Sequence, residues 1–518
     1  MLIIDKTKML TYLLLFTLFF SGTACKEDSA GEDIDEPDEV TLSIDQDSYD
    51  FSADGGSDKI QITSNAKWKL TYESDAFCKP TIQSAIGDAD VTINATANET
   101  TAARSMVMTL TSEGAEDVAI SISQAASEGE PVDPIEPEGP DYVDPDNTDM
   151  RDLTSIQLSQ LMGIGWNLGN SMEAINAGST PPTGSETTWG NPVVTKELID
   201  AVKAAGFNTI RVPVSWSHML SDQSTYKIKT EWLQRVEEVA NYALDNEMYV
   251  VINVHWDGGW MDHPFYSEQE AINEKLAAFW KQIAVYFRDY DDHLLFAGSN
   301  EVRNEANYNA PTAEEAEVQN SFNQTFITTV RATGGRNTYR HLIVQGFNTN
   351  IDHTVNELTI PDDETEDRMM VEVHYYDPYN FSLDENAASG KPLWGEPYKD
   401  QTGYVDTWGQ EDWVEEQFGK MKTNFVDKGY PVLLGEYGAL WRDVSGISDP
   451  NYPSQSEHDE SRKYYLNYVT KAALDNGIIP VYWDNGHTGN NGFALFNRSS
   501  TEVSNQSALD GIISAGEE

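Results

Sequence analysis

The sequence predicts an α/β protein in which a (β/α)8 (TIM) barrel, residues 151–518, follows a small all-β, immunoglobulin-like sandwich, residues 40–126. From residue 152 onward, eight apolar runs alternate with amphipathic stretches, which is the pattern of repeated strand–helix units. Residues 40–126 instead alternate apolar and polar side chains with a period of two, as half-buried strands do. A doubly wound sheet is the alternative for the larger region, but it would normally contain fewer repeats.

Composition narrows the classes of partner. The 518 residues include 33 Lys and Arg against 86 Asp and Glu, which gives a formal net charge of −53. A polyanion this strong is repelled by phosphate backbones and anionic membrane surfaces, which argues against nucleic acid and leaves neutral ligands. The 13 Trp and 24 Tyr supply flat rings that can stack on the apolar faces of such ligands. We expect a monomer.

No metal or cofactor is predicted. Cys25 and Cys78 are the two cysteines, too few for a disulfide scaffold or a structural zinc site. His255 and His263 are eight residues apart, a spacing that fits no common zinc motif. The sequence also lacks the glycine-rich phosphate loops GxxxxGK[ST] and GxGxxG, which argues against kinases and dinucleotide enzymes.

The first residues are typical of an export signal. A positively charged start, an apolar run over residues 10–20 and small residues before Cys25 resemble a bacterial lipoprotein signal, residues 1–25. Gly22 stands where a branched aliphatic residue is usual, so an ordinary signal peptide cut near Ala24 is the alternative. Residues 26–39 are acidic and predict a solvated tether. We therefore expect an exported protein, anchored to the outer membrane through lipidated Cys25 and facing the cell exterior.

Residues 40–126 carry a second resemblance. Trp68, Asn98, Arg104 and the closing ISISQ of residues 120–124 resemble a BACON-type module. The name of that family implies carbohydrate binding, with Trp68 as a sugar platform. A spacer, with Trp68 in the core, is the alternative. Residues 127–150 are rich in proline and acidic residues, which predicts an extended linker.

The barrel region contains eight candidate strands and, between them, helices such as the one predicted over residues 229–246. The strands are predicted at 163–170, 207–214, 248–256, 294–301, 340–348, 369–377, 431–439 and 478–486. Each run ends in polar or aromatic residues: Asn167, Arg211, His255, Trp256, Asn300, Glu301, His374, Tyr376, Glu436 and Trp483. The carboxyl ends of barrel strands meet at one rim, and burying so many polar groups there without a ligand costs stability. The sequence therefore predicts a site at this rim.

Two carboxylates suggest the chemistry of that site. Glu301 and Glu436 follow the predicted fourth and seventh strands, and paired carboxylates across a cleft suit acid/base and nucleophilic reactions on acetals. Asn300-Glu301 and the run Leu-Gly-Glu436-Tyr-Gly resemble glycoside hydrolase family 5, over about residues 155–510. The stretch GWNLGN followed by WGNPVVTKELIDAVKAAGFNTIRVPVSW resembles its endoglucanase and xyloglucanase branch. Val302 replaces the proline, and Ala297 the glutamate, that this family often has beside the motif.

The resemblance implies roles for the rim residues. Glu301 is the expected general acid/base and Glu436 the nucleophile. Arg211 would keep Glu436 ionised, and the negative charge of Glu436 would raise the pKa of Glu301. The expected supporting residues are Arg211, His255, Asn300, His374 and Tyr376, and the expected substrate-binding residues are Asn167, Trp256 and Trp483. Further candidate platforms are Trp189, Trp260, Trp394 and Trp441.

The expected function is that of a retaining endo-β-1,4-glucanase, which cleaves internal bonds of cellulose-like glucan or xyloglucan by double displacement. A β-mannanase or xylanase on the same barrel is the first alternative, since these differ in outer loops. A non-catalytic surface glycan-binding protein is the second. It would require the loss of one glutamate, and both are present.

Overall fold

The computed structural model describes residues 40–126, except 54, 73–75 and 99–101, and residues 140–516, except 305–308 and 387. These two stretches belong to two separate compact units. The predicted signal peptide, Cys25, the acidic tether and residues 127–139 of the predicted linker lie outside the described residues. No helix in the described ranges is both long and apolar enough to cross a membrane.

The first unit consists of two β-sheets with a core between them. One sheet has the strand order β1-β3-β7-β5 and the other β2-β9-β8-β4-β6. Neighbouring strands are antiparallel except for β2 and β9, which are parallel. The nine strands are Leu42–Ile44 (β1), Ser48–Phe51 (β2), Gly56–Ser64 (β3), Lys67–Thr71 (β4), Cys78–Pro80 (β5), Ser84–Ile86 (β6), Ala89–Ala95 (β7), Arg104–Ser112 (β8) and Val118–Gln124 (β9).

The residues that resemble the BACON module all have structural partners. Trp68 is buried in the sandwich core, and its Nε1 donates a hydrogen bond of 2.8 Å to the carbonyl of Gly87. The buried Asn98 amide donates to the carbonyls of Ala102 and Ala125, each at 2.9 Å. Of the two roles considered for Trp68, the structure therefore supports the core position, because a stacking platform needs an accessible face.

The second unit is a closed barrel of eight parallel strands, which confirms the predicted fold class. Going round the barrel, the strands follow chain order: β10, β13, β16, β17, β18, β19, β20 and β21. Their bounds are Gly165–Asn167 (β10), Thr209–Val212 (β13), Tyr249–Asn253 (β16), Leu294–Ala297 (β17), Leu342–Gln345 (β18), Met369–Tyr375 (β19), Val432–Tyr437 (β20) and Ile478–Tyr482 (β21). Each lies within one of the predicted runs and is shorter than it, so most of the polar residues fall at or just beyond a strand end.

Helices surround the barrel and close its outer core. Thr230–Leu244 matches the predicted helix closely, because Trp232, Val236 and Ala243 on one face are buried against the sheet. The ten helices in the described ranges are Ser155–Met162 (α1), Lys196–Ala204 (α2), Thr230–Leu244 (α3), Tyr266–Tyr286 (α4), Ala313–Arg331 (α5), Ile351–Glu357 (α6), Tyr379–Ser382 (α7), Glu411–Asn424 (α8), Gln455–Asp475 (α9) and Gln506–Ser514 (α10). The loops contain two short two-stranded sheets. One pairs Ile175–Asn176 (β11) with Thr183–Gly184 (β12), and the other pairs Leu220–Asp222 (β14) with Lys227–Ile228 (β15).

The end of the predicted linker is part of the barrel unit, which corrects the prediction for residues 140–150. The Val143 amide donates to the carbonyl of Thr333, and the Gly335 amide donates back to the carbonyl of Val143, both at 3.2 Å. Asp141 pairs with Lys281 at 2.7 Å. Gly334 has a φ of +68°, and a Cβ there would lie 1.8 Å from the Val143 carbonyl oxygen. Composition indicated an extended chain, but backbone hydrogen bonds hold it against the barrel.

Candidate active site

Glu301 and Glu436 face each other at the carboxyl end of the barrel. Glu301 lies four residues beyond the end of β17, and Glu436 is the fifth residue of β20. One carboxylate oxygen of each and a ring nitrogen of His374 all lie within 4.8 Å of one another. Retaining glycosidases hold their two carboxyl groups about 5–5.5 Å apart, whereas inverting enzymes leave about 6.5–9.5 Å for a water molecule. The arrangement therefore fits the retaining geometry.

Arg211 organises the floor of this pair. The side chain is fully buried on β13, and its Nη1 donates to Glu436 Oε1 and to Asn167 Oδ1, each at 3.0 Å. Its Nη2 donates to Asn300 Oδ1 at 2.7 Å. Its Nε lies 2.9 Å from Glu372 Oε1, an ion pair whose angle is too poor for a hydrogen bond. One guanidinium thus fixes residues from four other strands or strand ends.

His374 connects the two catalytic candidates. Its Nδ1 lies 2.7 Å from Glu301 Oε1 and 3.7 Å from Glu436 Oε2, and its Nε2 lies 3.4 Å from Glu372 Oε1. Burial lowers the pKa of His374, but the three surrounding carboxylates outweigh burial and raise it to about 9. The imidazole is therefore a cation at neutral pH, with Nδ1 donating to Glu301.

The pKa values of the two glutamates shift in directions opposite to those expected from the sequence. Burial raises the pKa of Glu301, but the hydrogen bond and charge of His374, with help from Arg303, leave it below its usual value. Burial also raises the pKa of Glu436, and the charges of Glu301 and Glu372 keep it raised despite His374 and Arg211. The expectation for Glu301 was wrong because it gave His374 no charge, and the expectation for Glu436 was wrong because it neglected burial and the charges of Glu301 and Glu372. In the free protein the His374 imidazolium interacts more closely with Glu301, at 2.7 Å, than with Glu436, at 3.7 Å.

Tyr376 and Asn300 complete the contacts to the pair. The Tyr376 hydroxyl donates to Glu436 Oε2 at 3.1 Å. Burial and the adjacent carboxylates of Glu436 and Glu301 hold its pKa well above the usual value, so it remains a donor across the working pH range. The oxygen of the Asn300 side chain is held by Arg211. Asn300 also lines the cleft, and its amide nitrogen is not used in the bond to Arg211.

A cleft of about 480 Å³ lies above the two glutamates. The rings of His255 and Trp483 are nearly parallel, with centroids 6.0 Å apart and 5° between their planes. Burial, with the positive charges of Arg211 and His374, holds the pKa of His255 well below its usual value, so its ring is neutral. Trp256 is 36% exposed and also lines the cleft. The walls thus combine flat rings with a few polar groups, which suits a pyranose.

The structure corrects the role of Asn167. This side chain is fully buried, and its Nδ2 donates to the carbonyls of Gly435, Val481 and Tyr482. With its Oδ1 bound to Arg211, it has no polar atom left for substrate. Asn167 therefore positions Arg211, and its predicted role in substrate binding was wrong.

The further platform candidates differ in exposure. Trp394 is fully buried among tyrosine rings, which excludes it as a platform. Trp260 is half-buried, with Nε1 bonded to Asp257 and the Lys275 ammonium over its ring. Trp441 bonds to Asp459, and Trp189 is 41% exposed. Trp189 therefore retains the most open face of the four.

Sequence reasoning missed two polar residues beneath the site and one beside it. Glu372 and Gln345 are fully buried in β19 and β18, and Gln345 Nε2 donates to Glu372 Oε2 at 2.6 Å. Arg303 Nη1 lies 3.8 Å from Glu301 Oε2. The available signal was a carboxylate inside the otherwise apolar run MMVEVHYY, since charged residues are almost never fully buried unless paired.

Comparison with known families decides the assignment. The family model described as cellulase (glycosyl hydrolase family 5) matches residues 174–489, which is more than half of the chain. The chain belongs to glycosyl hydrolase family 5. It is therefore a hydrolase of O-glycosyl bonds. The BACON family model matches residues 67–125, which confirms the second resemblance.

Individual family 5 proteins are similar over 70–92% of the chain. A xyloglucan-specific endo-β-1,4-glucanase of Bacteroides ovatus, BoGH5A, is 42% identical over 90% of this chain and 89% of its own. A solved structure of a B. ovatus family 5 xyloglucanase with a XXXG heptasaccharide has a TM-score of 0.69 and 40% identity, over 92% of this chain and 100% of the other. A family 5 xyloglucanase from Paenibacillus pabuli has a TM-score of 0.64 and 41% identity, over 70% and 100%.

Proposed function

We propose that this protein is a retaining endo-β-1,4-glucanase whose preferred substrate is xyloglucan. The observation that carries the proposal is the placement of Glu301 and Glu436, with carboxylate oxygens within 4.8 Å, at the floor of one cleft. The preference for xyloglucan is supported by the similarity to the xyloglucan-specific enzyme of B. ovatus and to the xyloglucanase solved with a heptasaccharide. β-Mannan and xylan, the sequence-based alternatives, have no comparable support.

In the first half of the reaction, Glu436 attacks the anomeric carbon while Glu301 protonates the departing glycosidic oxygen. Arg211 and Tyr376 each hold one oxygen of Glu436, which fixes the direction of attack. Asn300 donates to the 2-hydroxyl of the reacting sugar, a contact that strengthens in the transition state.

The proton that Glu301 delivers is the one in the hydrogen bond between Glu301 Oε1 and His374 Nδ1. In the free protein it lies mainly on Nδ1 of the imidazolium, 2.7 Å from Glu301 Oε1. Glycan binding removes water from the cleft, and desolvation favours a neutral imidazole beside a protonated carboxyl over two separated charges. The proton then passes to Oε1, and from there to the leaving oxygen.

In the second half, the roles reverse. Once Glu436 is esterified, its negative charge is gone, and the pKa values of His374 and Glu301 both fall because that charge raised them. Glu301 then accepts a proton from water, which attacks the same carbon and releases the sugar with retained configuration.

Product analysis on four polysaccharides tests the proposal. Incubation with xyloglucan, β-glucan, mannan and xylan should give oligosaccharides of mixed length from xyloglucan first, and anomer-resolved NMR should show the β-anomer initially. E301Q and E436Q should each abolish hydrolysis. Faster cleavage of mannan or xylan would support the alternatives, and initial α-anomer would exclude retention. Wild-type activity in E436Q would exclude the nucleophile assignment.

We also propose that the protein is exported and held at the outer membrane as a monomer, lipidated at Cys25. The charged start, apolar run and small residues before that cysteine support the proposal. Mass spectrometry should find acyl chains on an N-terminal Cys25, and C25A should release the protein into the medium. A free, unmodified Cys25 thiol would contradict it.

A further inference from the structure

A third carboxylate lies directly beneath the catalytic pair. Glu372 is in the middle of β19 and is fully buried. Oε1 lies 2.9 Å from Nε of Arg211 and 3.4 Å from Nε2 of His374, while Oε2 accepts from Gln345 at 2.6 Å. Glu372 is not among the residues that line the cleft, so we do not expect it to be catalytic itself.

Close contacts on two sides keep the Glu372 carboxylate in one place. A Cβ on Gly435, which precedes the nucleophile in β20, would lie 2.0 Å from Glu372 Oε1, so only glycine fits there. On the other side, Gln345 accepts from the amide and the hydroxyl of Ser299, at 2.9 and 3.1 Å. Ser299 is two residues before Glu301. The network therefore links the segments that carry both catalytic glutamates.

Contacts to two buried cations explain why a carboxylate belongs at this position. Glu436 pairs with Arg211 Nη1 and Glu301 with His374 Nδ1. Glu372 instead faces Arg211 Nε and His374 Nε2. Arg303 is 3.8 Å from Glu301. Burying an ion is costly unless it is paired and hydrogen-bonded. Glu372 supplies the charge that lets Arg211 and the His374 imidazolium be buried together.

We propose that Glu372 is a positioning residue for hydrolysis: its carboxylate fixes Arg211 and His374, and through them sets the geometry and protonation of both catalytic glutamates. The inference rests on the proposed function above. Several charged and titratable groups surround His374 and the two glutamates: Arg211, His255, Arg303, Glu372 and Tyr376. Asp262 also lines the cleft, 4.0 Å from Arg303. Because Glu372 is negative, its removal should lower the pKa of each acid around it.

E372Q tests the role of the charge with little change in volume. Both limbs of the pH profile of kcat/KM should move about one pH unit toward acid, as expected for losing one nearby charge. We expect kcat to fall at least about tenfold and KM to change less than about threefold, since no substrate contact is removed. A merely structural role would lower activity without moving the limbs.

Three comparison variants separate charge from packing. E186Q removes the charge of another buried glutamate, which pairs with Arg235, and should leave the pH profile unchanged. Q345E/E372Q retains a carboxylate in the network but moves it toward Ser299, and its limbs should stay shifted. E372D keeps the charge one methylene farther back, so its limbs should stay in place while kcat falls. It also provides the test if E372Q fails to fold.

A titration that needs no activity completes the test. In ¹⁵N-histidine NMR spectra, assigned with H374Q, the pKa of His374 should be near 9 in the wild type and at least one unit lower in E372Q. The inference would be overturned if E372Q left both the limbs of the pH profile and the pKa of His374 unchanged. It would also be overturned if Q345E/E372Q had the wild-type pH profile. A wild type inactive on every glucan, with the His374 shift present, would instead overturn the proposed function alone.

Discussion

Replacing Tyr376 with phenylalanine removes a single oxygen from the site and should move the acidic limb of the pH profile. The Tyr376 hydroxyl donates to Glu436 Oε2 at 3.1 Å, and the other nearby donor, His374 Nδ1, is 3.7 Å away. Because this hydrogen bond favours the ionised carboxylate, its loss should raise the pKa of Glu436, which burial already raises. The nucleophile must be ionised, so activity should be lost at acidic pH first.

The size of the shift follows from the strength of the bond. A hydrogen bond to a charged group contributes about 1.5–3 kcal/mol, and one pKa unit corresponds to about 1.4 kcal/mol. The acidic limb of kcat/KM should therefore rise by about one to two pH units in Y376F. The assay is initial-rate hydrolysis of xyloglucan over a range of pH, in buffers of constant ionic strength.

Tyr375, the last residue of β19 and the neighbour of Tyr376, offers a matched control. Its ring is buried against Phe418, and its hydroxyl has no hydrogen-bond partner among the described residues. Y375F should reproduce the wild-type limb. If the limb of Y376F instead coincided with those of the wild type and Y375F, the hydrogen bond to Glu436 would have no role in setting its protonation.

Three further substitutions test separate parts of the structure. E301A should lower kcat/KM on xyloglucan by about 10²- to 10⁴-fold but reduce cleavage of an aryl glycoside with an acidic phenol far less, because that leaving group needs no proton; equal losses would contradict the acid role. W256A should raise KM about two- to tenfold with kcat nearly unchanged, since stacking contributes about 0.5–1.5 kcal/mol; an unchanged KM would exclude contact with substrate. W68A should cost the sandwich about 3–5 kcal/mol, visible as lost hydrogen-exchange protection in residues 40–126, whereas intact protection would contradict its core position.

Local sequence patterns were sufficient for the barrel and for most of its rim. Each barrel strand is a short apolar run that ends in polar residues, and the parallel topology brings those ends together whatever the details of the loops. Glu301, His374 and Glu436 could therefore be assigned to one site without coordinates, and in the structure one carboxylate oxygen or ring nitrogen of each lies within 4.8 Å of the others.

Orientation inside the barrel was not predictable in the same way. All seven residues of β19 are buried, so periodicity gives no indication of which side chains point to the barrel interior. Glu372 was missed for this reason. Asn167 was assigned to substrate binding, although its side chain is buried and hydrogen-bonded to Arg211. The pKa direction of Glu301 was wrong because it depends on a distance of 2.7 Å between His374 and Glu301, which are far apart in the sequence. The pKa direction of Glu436 was wrong because it depends on burial and on the charges of Glu301 and Glu372.

The contacts of residues 140–150 determine which face of the barrel unit would bear a force applied to the chain at residue 140. Val143 is hydrogen-bonded to the loop that follows α5 and leads into β18, at the amino ends of the barrel strands and thus opposite the cleft. A force applied to the chain at Pro140 would be resisted by two side chains. Arg288 donates to the carbonyl of Pro140, and Lys281 of α4 pairs with Asp141. A load applied at residue 140 would therefore act on the face of the barrel opposite Glu301 and Glu436 and leave the geometry of the cleft unchanged.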